Sequence, residues 1–311
     1  MAKKTGKRKK KKSARRAALV VGAFLAGVVV TLLVVRYAGV FKERPRERAR
    51  VTAPAVPTAP TVPTTPTPAP RAIPPGAARV AIVIDDLGGN IERLRDLLEI
   101  DAPITISVLP WLPYSEATAF EAYSSGREVL MHLPMEPHDP ANDPGKGALF
   151  TTMDPSEIRR LMAEDLKTVP YAVGVNNHMG SRFTEDRAGM REVLDVVRRK
   201  GLFFLDSRTT PRSVGRSLAS DMGVRTAARN VFLDNERDGG YITGQIAELV
   251  EIARKSGRAI AIGHPYPETI LALSRTIPAL AADGVYVVNV SEVLDGGTET
   301  RGLSERERAG R

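Results

Sequence analysis

The 311-residue chain contains no cysteine, which excludes disulfides and thiolate chemistry and permits an oxidising compartment without requiring one. No acidic residue occurs among the first 16 positions, where ten lysines and arginines crowd into MAKKTGKRKKKKSARR. Residues 17–35, AALVVGAFLAGVVVTLLVV, then run for 19 positions without a charge, close to the ~20 residues a helix needs to cross a bilayer's hydrocarbon core. A cleaved signal peptide would carry a shorter apolar stretch, roughly 7–15 residues, followed by an Ala-x-Ala type site, and no convincing site follows Val35. The expectation is a single-pass anchor in the inner (cytoplasmic) membrane. The basic segment 1–16 stays in the cytoplasm and the remainder lies on the periplasmic or extracytoplasmic side.

The net charge of +9 and a pI near 9.8 would by themselves suggest a nucleic-acid partner. The first 16 residues carry +10 and residues 17–79 a further +6, so the chain from Val80 onward is net −7. The basic excess therefore belongs to the tail, and no nucleic-acid binding is expected of the acidic folded part.

Residues 36–78 form a linker. Ten prolines fall between positions 45 and 79 among Ala, Thr, Val and Arg, a composition that buries no core and reads as an extended, semi-rigid tether. At ~3.1 Å per residue it could reach on the order of 100 Å from the membrane, which suits action on a wall or envelope polymer. The last positions, 298–311, read as a disordered, charged, solvated tail. Between them, residues 79–297 remain as the folded domain, with no internal repeat.

Across that domain short β-rich runs alternate with helical periodicity, the sign of βα units. Strands are expected at 80–84, 104–109, 128–132, 172–176, 202–206, 230–233, 259–263 and 285–290. Asn90 caps a first helix with Ile91, Leu94, Leu97 and Leu98 on one face. A second helix lies near 114–125. Asp154-Pro155-Ser156-Glu157 starts another, with an acidic cap, proline at the first position and Glu at the third, carrying Ile158, Leu161, Met162 and Leu166 inward. Further helices fall at about 186–200, 241–256 and 268–282. The pattern predicts an α/β protein, a distorted seven- or eight-stranded β/α barrel, with an open doubly wound sheet as the alternative.

The chain has only four histidines, and three of them, with several aspartates, stand where apolar runs end. The first strand finishes in Asp85-Asp86; others finish at His132, His178, Asp206, Asp234 and His264. In a parallel α/β architecture the carboxyl ends of the strands share one face, so these residues read as one pocket. Adjacent carboxylates suit a division of labour in which one binds a metal and the other acts as a base, although a helix cap beside a turn residue explains the dipeptide equally well. His132, with Glu136 four residues on and Asp86, makes a reasonable N/O site for zinc or a similar divalent ion. Asn176-Asn177-His178 is polar where a buried strand should stay apolar, which offers His178 as a ligand or substrate contact and Asn177 as a hydrogen-bonding group. Asp206 and Asp234 either orient a histidine or cap the following helix. His264 is the best acid candidate, since imidazole titrates near neutrality and Gly263 allows close approach.

The ordered set Ile84-Asp85-Asp86, Gly126-Arg127-Glu128-Val129-Leu130-Met131-His132, Asn177-His178-Met179-Gly180-Ser181, Leu205-Asp206-Ser207 and Ile262-Gly263-His264-Pro265 resembles the divergent polysaccharide deacetylase family over about 79–295. The resemblance implies a distorted β/α barrel related to metal-dependent carbohydrate N-deacetylases, with Asp85 as base, Asp86 as metal ligand and His264 as the acid for the leaving amine. Those enzymes carry two ligand histidines four apart, whereas this chain has His132 and Glu136; either His178 supplies the missing imidazole, or the metal binds weakly or not at all.

The expected function is a carbohydrate deacetylase-like hydrolase, a divalent metal held by Asp86, His132 and His178, acting on an N-acetylated cell-envelope polysaccharide. A catalytically inactive glycan- or partner-binding envelope protein is the rival. A metal phosphoesterase would need a basic phosphate cradle, and none is evident near these strand ends.

Overall fold

The computed structural model describes residues 73–295. The expected basic segment 1–16, the anchor 17–35, nearly all of the linker and the tail 298–311 lie outside the described residues. Among the described residues no helix is long and apolar enough to cross a membrane.

Among the described residues nine parallel strands form one sheet: β1 Ala78–Leu87, β2 Thr105–Val108, β3 Val129–Met135, β4 Ala172–Met179, β5 Phe203–Asp206, β6 Thr226–Ala228, β7 Val231–Phe232, β8 Arg258–Gly263 and β9 Val285–Val288. Their order is β6-β5-β4-β3-β2-β1-β8-β7. The long β1 pairs with β8 along one edge; on its other edge Ala78–Ala81 pair with β9, and Val83–Leu87 pair with β2.

The two edge strands, β6 and β7, are separated only by Arg229 and Asn230. Arg229 N–H donates to the Asp206 carbonyl on β5, and Asn230 N–H donates to the Ile260 carbonyl on β8. One extended segment therefore leaves β5 and joins β8, which forces the sheet to curl into a distorted, incompletely closed β/α barrel. The strand-like runs of the sequence omit β6, because Thr226-Ala227-Ala228 is too short and too weakly apolar to stand out.

The helices are α1 Ile91–Leu98, α2 Ser115–Ser124, α3 Pro155–Thr168, α4 Arg187–Arg199, α5 Gly215–Asp221, α6 Gly239–Ser256 and α7 Pro267–Leu280. Asn90 accepts from Glu92 N–H at 2.9 Å, and Asp154 closes a reciprocal capping box with Glu157 ahead of Pro155. Gly257 ends α6 at φ 82, a left-handed position that glycine adopts without a Cβ penalty. The short α5 carries too little periodicity to be expected from sequence.

Both faces of the sheet are covered, so the strands read as nearly continuous apolar runs. Alternation still sorts them. Val80, Ile82 and Ile84 pack outward among the helices, whereas Ala81 and Val83 join Leu130, Phe203, Leu205, Ile260 and Ile262 inside the barrel. That inner row, continued to the strand ends, positions the site.

Candidate metal centre

Period-2 alternation carries the inner face of β1 from Ala81 and Val83 to Asp85, of β3 from Leu130 to His132, and of β8 from Ile260 and Ile262 to His264. On β4 Val175 packs outward, which turns Asn176 and His178 inward. Asp86 would face outward by the same rule. It does not, because the β1–β2 register slips between Ile84 and Leu87 and Asp86 takes φ 58. A left-handed residue at a bulge re-aims its side chain, and Asp tolerates this conformation better than most residues. Met179, at φ 50, and Arg208, at φ 51, are held in the same region at neighbouring strand ends.

Three ligand-type atoms meet at this mouth. Asp86 Oδ1 lies 3.2 Å from His132 Nε2 and 2.9 Å from His178 Nδ1, and the two ring nitrogens are 3.2 Å apart. Ligand atoms of a tetrahedral zinc site stand about 3.3 Å apart, so the spacing fits a first-row divalent ion. Asp86 Oδ1 is buried, yet neither nitrogen directs a well-aligned hydrogen bond at it. Two facing imidazole nitrogens and an unsatisfied carboxylate oxygen call for a shared cation.

The tautomer of His132 agrees. Asn176 Nδ2 donates to Asp85 Oδ1 at 2.8 Å, which fixes the amide, and Asn176 Oδ1 accepts from Ser107 Oγ at 2.7 Å and faces His132 Nδ1 at 3.1 Å. His132 therefore carries its proton on Nδ1 and presents the Nε2 lone pair to Asp86 and His178.

Asp85, almost fully buried, sits beside the triangle with Oδ2 3.5 Å from His132 Nε2. On the other side His264 Nε2 approaches Asp86 Oδ2 at 3.6 Å. His264 Nδ1 donates to Asp234 Oδ1 at 2.9 Å. Asp234 Oδ2 accepts from the His264 N–H at 2.6 Å and from Thr269 Oγ1 at 2.7 Å. A Cβ at Gly263 would meet Leu233 Cδ1 at 3.1 Å and Asp234 Oδ2 at 3.2 Å, so the close approach there needs glycine.

Burial alone would raise the Asp86 carboxyl, but the imidazoles of His132 and His178 outweigh it and hold that carboxyl well below the usual carboxylate range. Burial depresses His132 and His264, and the surrounding acids reverse this. Asp85 and Asp86, with Asn176, raise His132, while Asp234, Asp86 and Asp85 raise His264.

The remaining candidates lie apart from the triangle. Glu136 follows the end of β3 and is occupied: Oε2 accepts from Thr151 N–H and Oγ1, both at 2.7 Å, and Oε1 lies 3.5 Å from Arg182. Asn177 shares the outward parity of Val175 and braces the β4–β5 loops, accepting from Ser207 N–H at 2.9 Å and donating to the Met179 carbonyl at 2.8 Å. Asp206 has the outward parity of Phe204 and accepts from Arg208 N–H, Ser213 Oγ and Arg216 N–H, which caps the turn into α5. Of Asp206 and Asp234, only Asp234 orients a histidine. Asn176, whose part in linking Asp85 to His132 is not evident from the sequence, could have been found by continuing the alternation from Val175.

This fold and site define a deacetylase-like β/α barrel. The chain belongs to the divergent polysaccharide deacetylase family, whose sequence model matches residues 82–294. It is 38% identical over 221 residues to the uncharacterized protein YibQ of Escherichia coli K12, covering 70% of this chain and 68% of that one. It is 36% identical over 206 residues to an uncharacterized Haemophilus influenzae protein, covering 66% and 73%. The crystal structure of an uncharacterized Agrobacterium tumefaciens C58 protein shares the fold, with a TM-score of 0.67 at 24% identity over 70% of this chain and 89% of the other.

Proposed function

We propose that this protein is a metal-dependent N-deacetylase acting on an N-acetylated envelope glycan. The observation that carries the reading is the meeting of Asp86, His132 and His178 between two proton-handling groups, Asp85 and His264. A divalent ion such as zinc, when bound by those three residues, would polarise the acetamide carbonyl and acidify a water at the mouth.

The chain's own residues handle the protons. Asp85, fixed by Asn176, is the base that takes a proton from the attacking water. His264, held by Asp234 through Nδ1, presents Nε2 to the mouth and delivers a proton to the departing sugar amine. The C–N bond breaks, and acetate and a free amine result. In this reading residues 17–35 anchor the chain in the inner membrane, and the proline-rich tether carries domain 79–297 toward its polymer; the charge-free run and the proline content support both assignments.

A glycan-binding envelope protein without turnover is the second reading. It is favoured by Glu136, which stands four residues after His132 but is committed to Thr151 and Arg182. Metal analysis of the purified full-length protein beside Asp86→Ala/His132→Ala, with acetate release from acetylated glycans, decides between them. One equivalent of divalent metal in the parent, lost in the double variant together with acetate release, supports the hydrolase. A parent that takes up no metal on reconstitution leaves the binding protein as the reading to keep.

A further inference from the structure

Beside this centre the barrel mouth has a second opening of about 240 Å³, lined by Arg208, Thr210, Pro211, Arg229 and Asn230. Arg208 follows β5, and Arg229 follows β6 at the point where the chain crosses to β8. Arg229 donates through Nε to the Ser207 carbonyl at 2.8 Å and through Nη2 to the Arg208 carbonyl at 3.1 Å. Carbonyl oxygens hold the guanidinium in place without neutralising it.

Among the described residues neither Arg208 nor Arg229 forms an ion pair, whereas the nearby Arg212 and Arg216 are paired with Glu185 and Asp295. No acidic side chain lines the opening. Burial and the adjacent Arg208 charge pull the Arg229 guanidinium below its ordinary range, with Asp85 and Asp206 acting in the opposite sense. Arg229, partly dehydrated and sharing the opening with the exposed Arg208 cation, is unfavourable there unless an anion joins them.

The opening is also tied to the reaction centre. The Arg229 guanidinium lies 4.8 Å over the Phe232 ring, and that ring meets His264 edge-on at 5.2 Å. One aromatic ring thus separates Arg229 from the acid group.

We infer that the Arg208–Arg229 opening binds an anionic group, a carboxylate or a phosphate, carried by the glycan on or next to the sugar whose acetamide reaches Asp85 and His264. Guanidinium groups offer planar, multi-donor contacts matched to the oxygens of such a group. The chain from Val80 onward is net −7, so a polyanion is disfavoured over most of the domain and the arginine pair selects it locally. The Phe232 ring lies between Arg229 and His264, which makes the opening a recognition site and not a place of phosphoryl transfer. The substrate class becomes an acidic N-acetylated glycan, and this inference rests on the deacetylase reading above.

The test is calorimetric binding to the full-length protein of a neutral N-acetylglucosamine oligomer and of the same oligomer bearing C6 carboxylates or C6 phosphates. Arg208→Gln removes an exposed charge whose side chain makes no hydrogen bond, so the fold is retained. Arg229→Gln also removes two loop contacts and serves as the second variant where its Tm matches the parent. At least one acidic oligomer is expected to bind about tenfold more tightly than the neutral one, and the one that does names the anion. The preference should fall to within about twofold in Arg208→Gln and shrink with salt. Equal affinities in the parent, or a preference that survives Arg208→Gln, would overturn the anion site and leave deacetylation of a neutral glycan standing. Inorganic phosphate separates the two readings. An Arg208-dependent rise in Tm with phosphate, without binding of any oligomer, supports the anion site and counts against the glycan reading.

Discussion

Asn176 and Asp85, 91 residues apart in sequence, are joined side chain to side chain by a 2.8 Å hydrogen bond, and the same amide faces His132 Nδ1. One residue therefore orients both the base and a metal ligand. Asn176→Ala is expected to weaken metal binding by about 10–100-fold, read by competition with a chelator, in line with the loss of an outer partner at other metal sites. Unchanged metal affinity in a folded Asn176→Ala protein would remove Asn176 from this role.

His178 and Glu136 compete for the position of a second ligand beside His132, and their contacts separate them. His178→Ala is expected to reduce metal content below stoichiometry. Glu136→Gln should retain one equivalent and instead loosen the loop held through Thr151 and Arg182. Elemental analysis of the two variants side by side checks this, and the reverse outcome would assign the ligand to Glu136.

The raised titration of His264 fixes the direction of its pH dependence. Its charged form is favoured by Asp234 and the other acids, so their stabilisation is fully present below the unfolded histidine value near 6.5 and is lost as pH rises through the raised folded value. As the acid for the leaving amine, His264 should give a deacetylase rate that falls on the alkaline side. Asp234→Asn moves that limb to lower pH and reduces kcat by roughly 10–100-fold. An alkaline limb that does not move, measured across the profile of kcat, would detach His264 from the rate.

Asp165 on α3 is a buried acid outside the site. Burial raises its carboxyl to about 7, against the hydrogen bond from Trp111 Nε1 at 2.6 Å, and its Oδ2 has no partner. Because the folded value is raised, the protonated form is stabilising at low pH and that contribution disappears as pH rises through about 7. Asp165→Asn should gain stability over the parent as pH increases, by on the order of 2 kcal/mol more at pH 8 than at pH 5.5. Emission from Trp111, the chain's one tryptophan, should titrate near the same point in the parent and stay flat in the variant. Parallel stability curves for the two proteins would show that Asp165 does not ionise in this range.

The fold class was legible because local signals agreed. The Asn90 and Asp154 caps fall where the sequence places them, and the apolar runs at 104–109, 128–132, 172–176 and 259–263 mark strands that form. Boundaries were less legible. β1 extends through both aspartates, and the 230–233 run shrinks to Val231–Phe232 because its neighbours Thr226–Ala228 take over pairing with β5.

The sequence by itself determined the strand ends that carry Asp85, His132, His178 and His264, since period-2 alternation sets which side chains face the barrel interior. The same parity turns Asn177 and Asp206 away, a consequence of strand periodicity alone. Tertiary structure alone decided the rest. A register slip and a left-handed Asp86 bring its carboxylate into the mouth against the alternation, the Thr151 and Arg182 contacts occupy Glu136, and the crossing from β6 to β7 sets Arg229 beside Arg208. Local periodicity fixes where a side chain points within one strand, but which strands meet at the mouth, and which oxygen then lacks a partner, depend on contacts between distant residues such as Asp86 and His264, 178 positions apart.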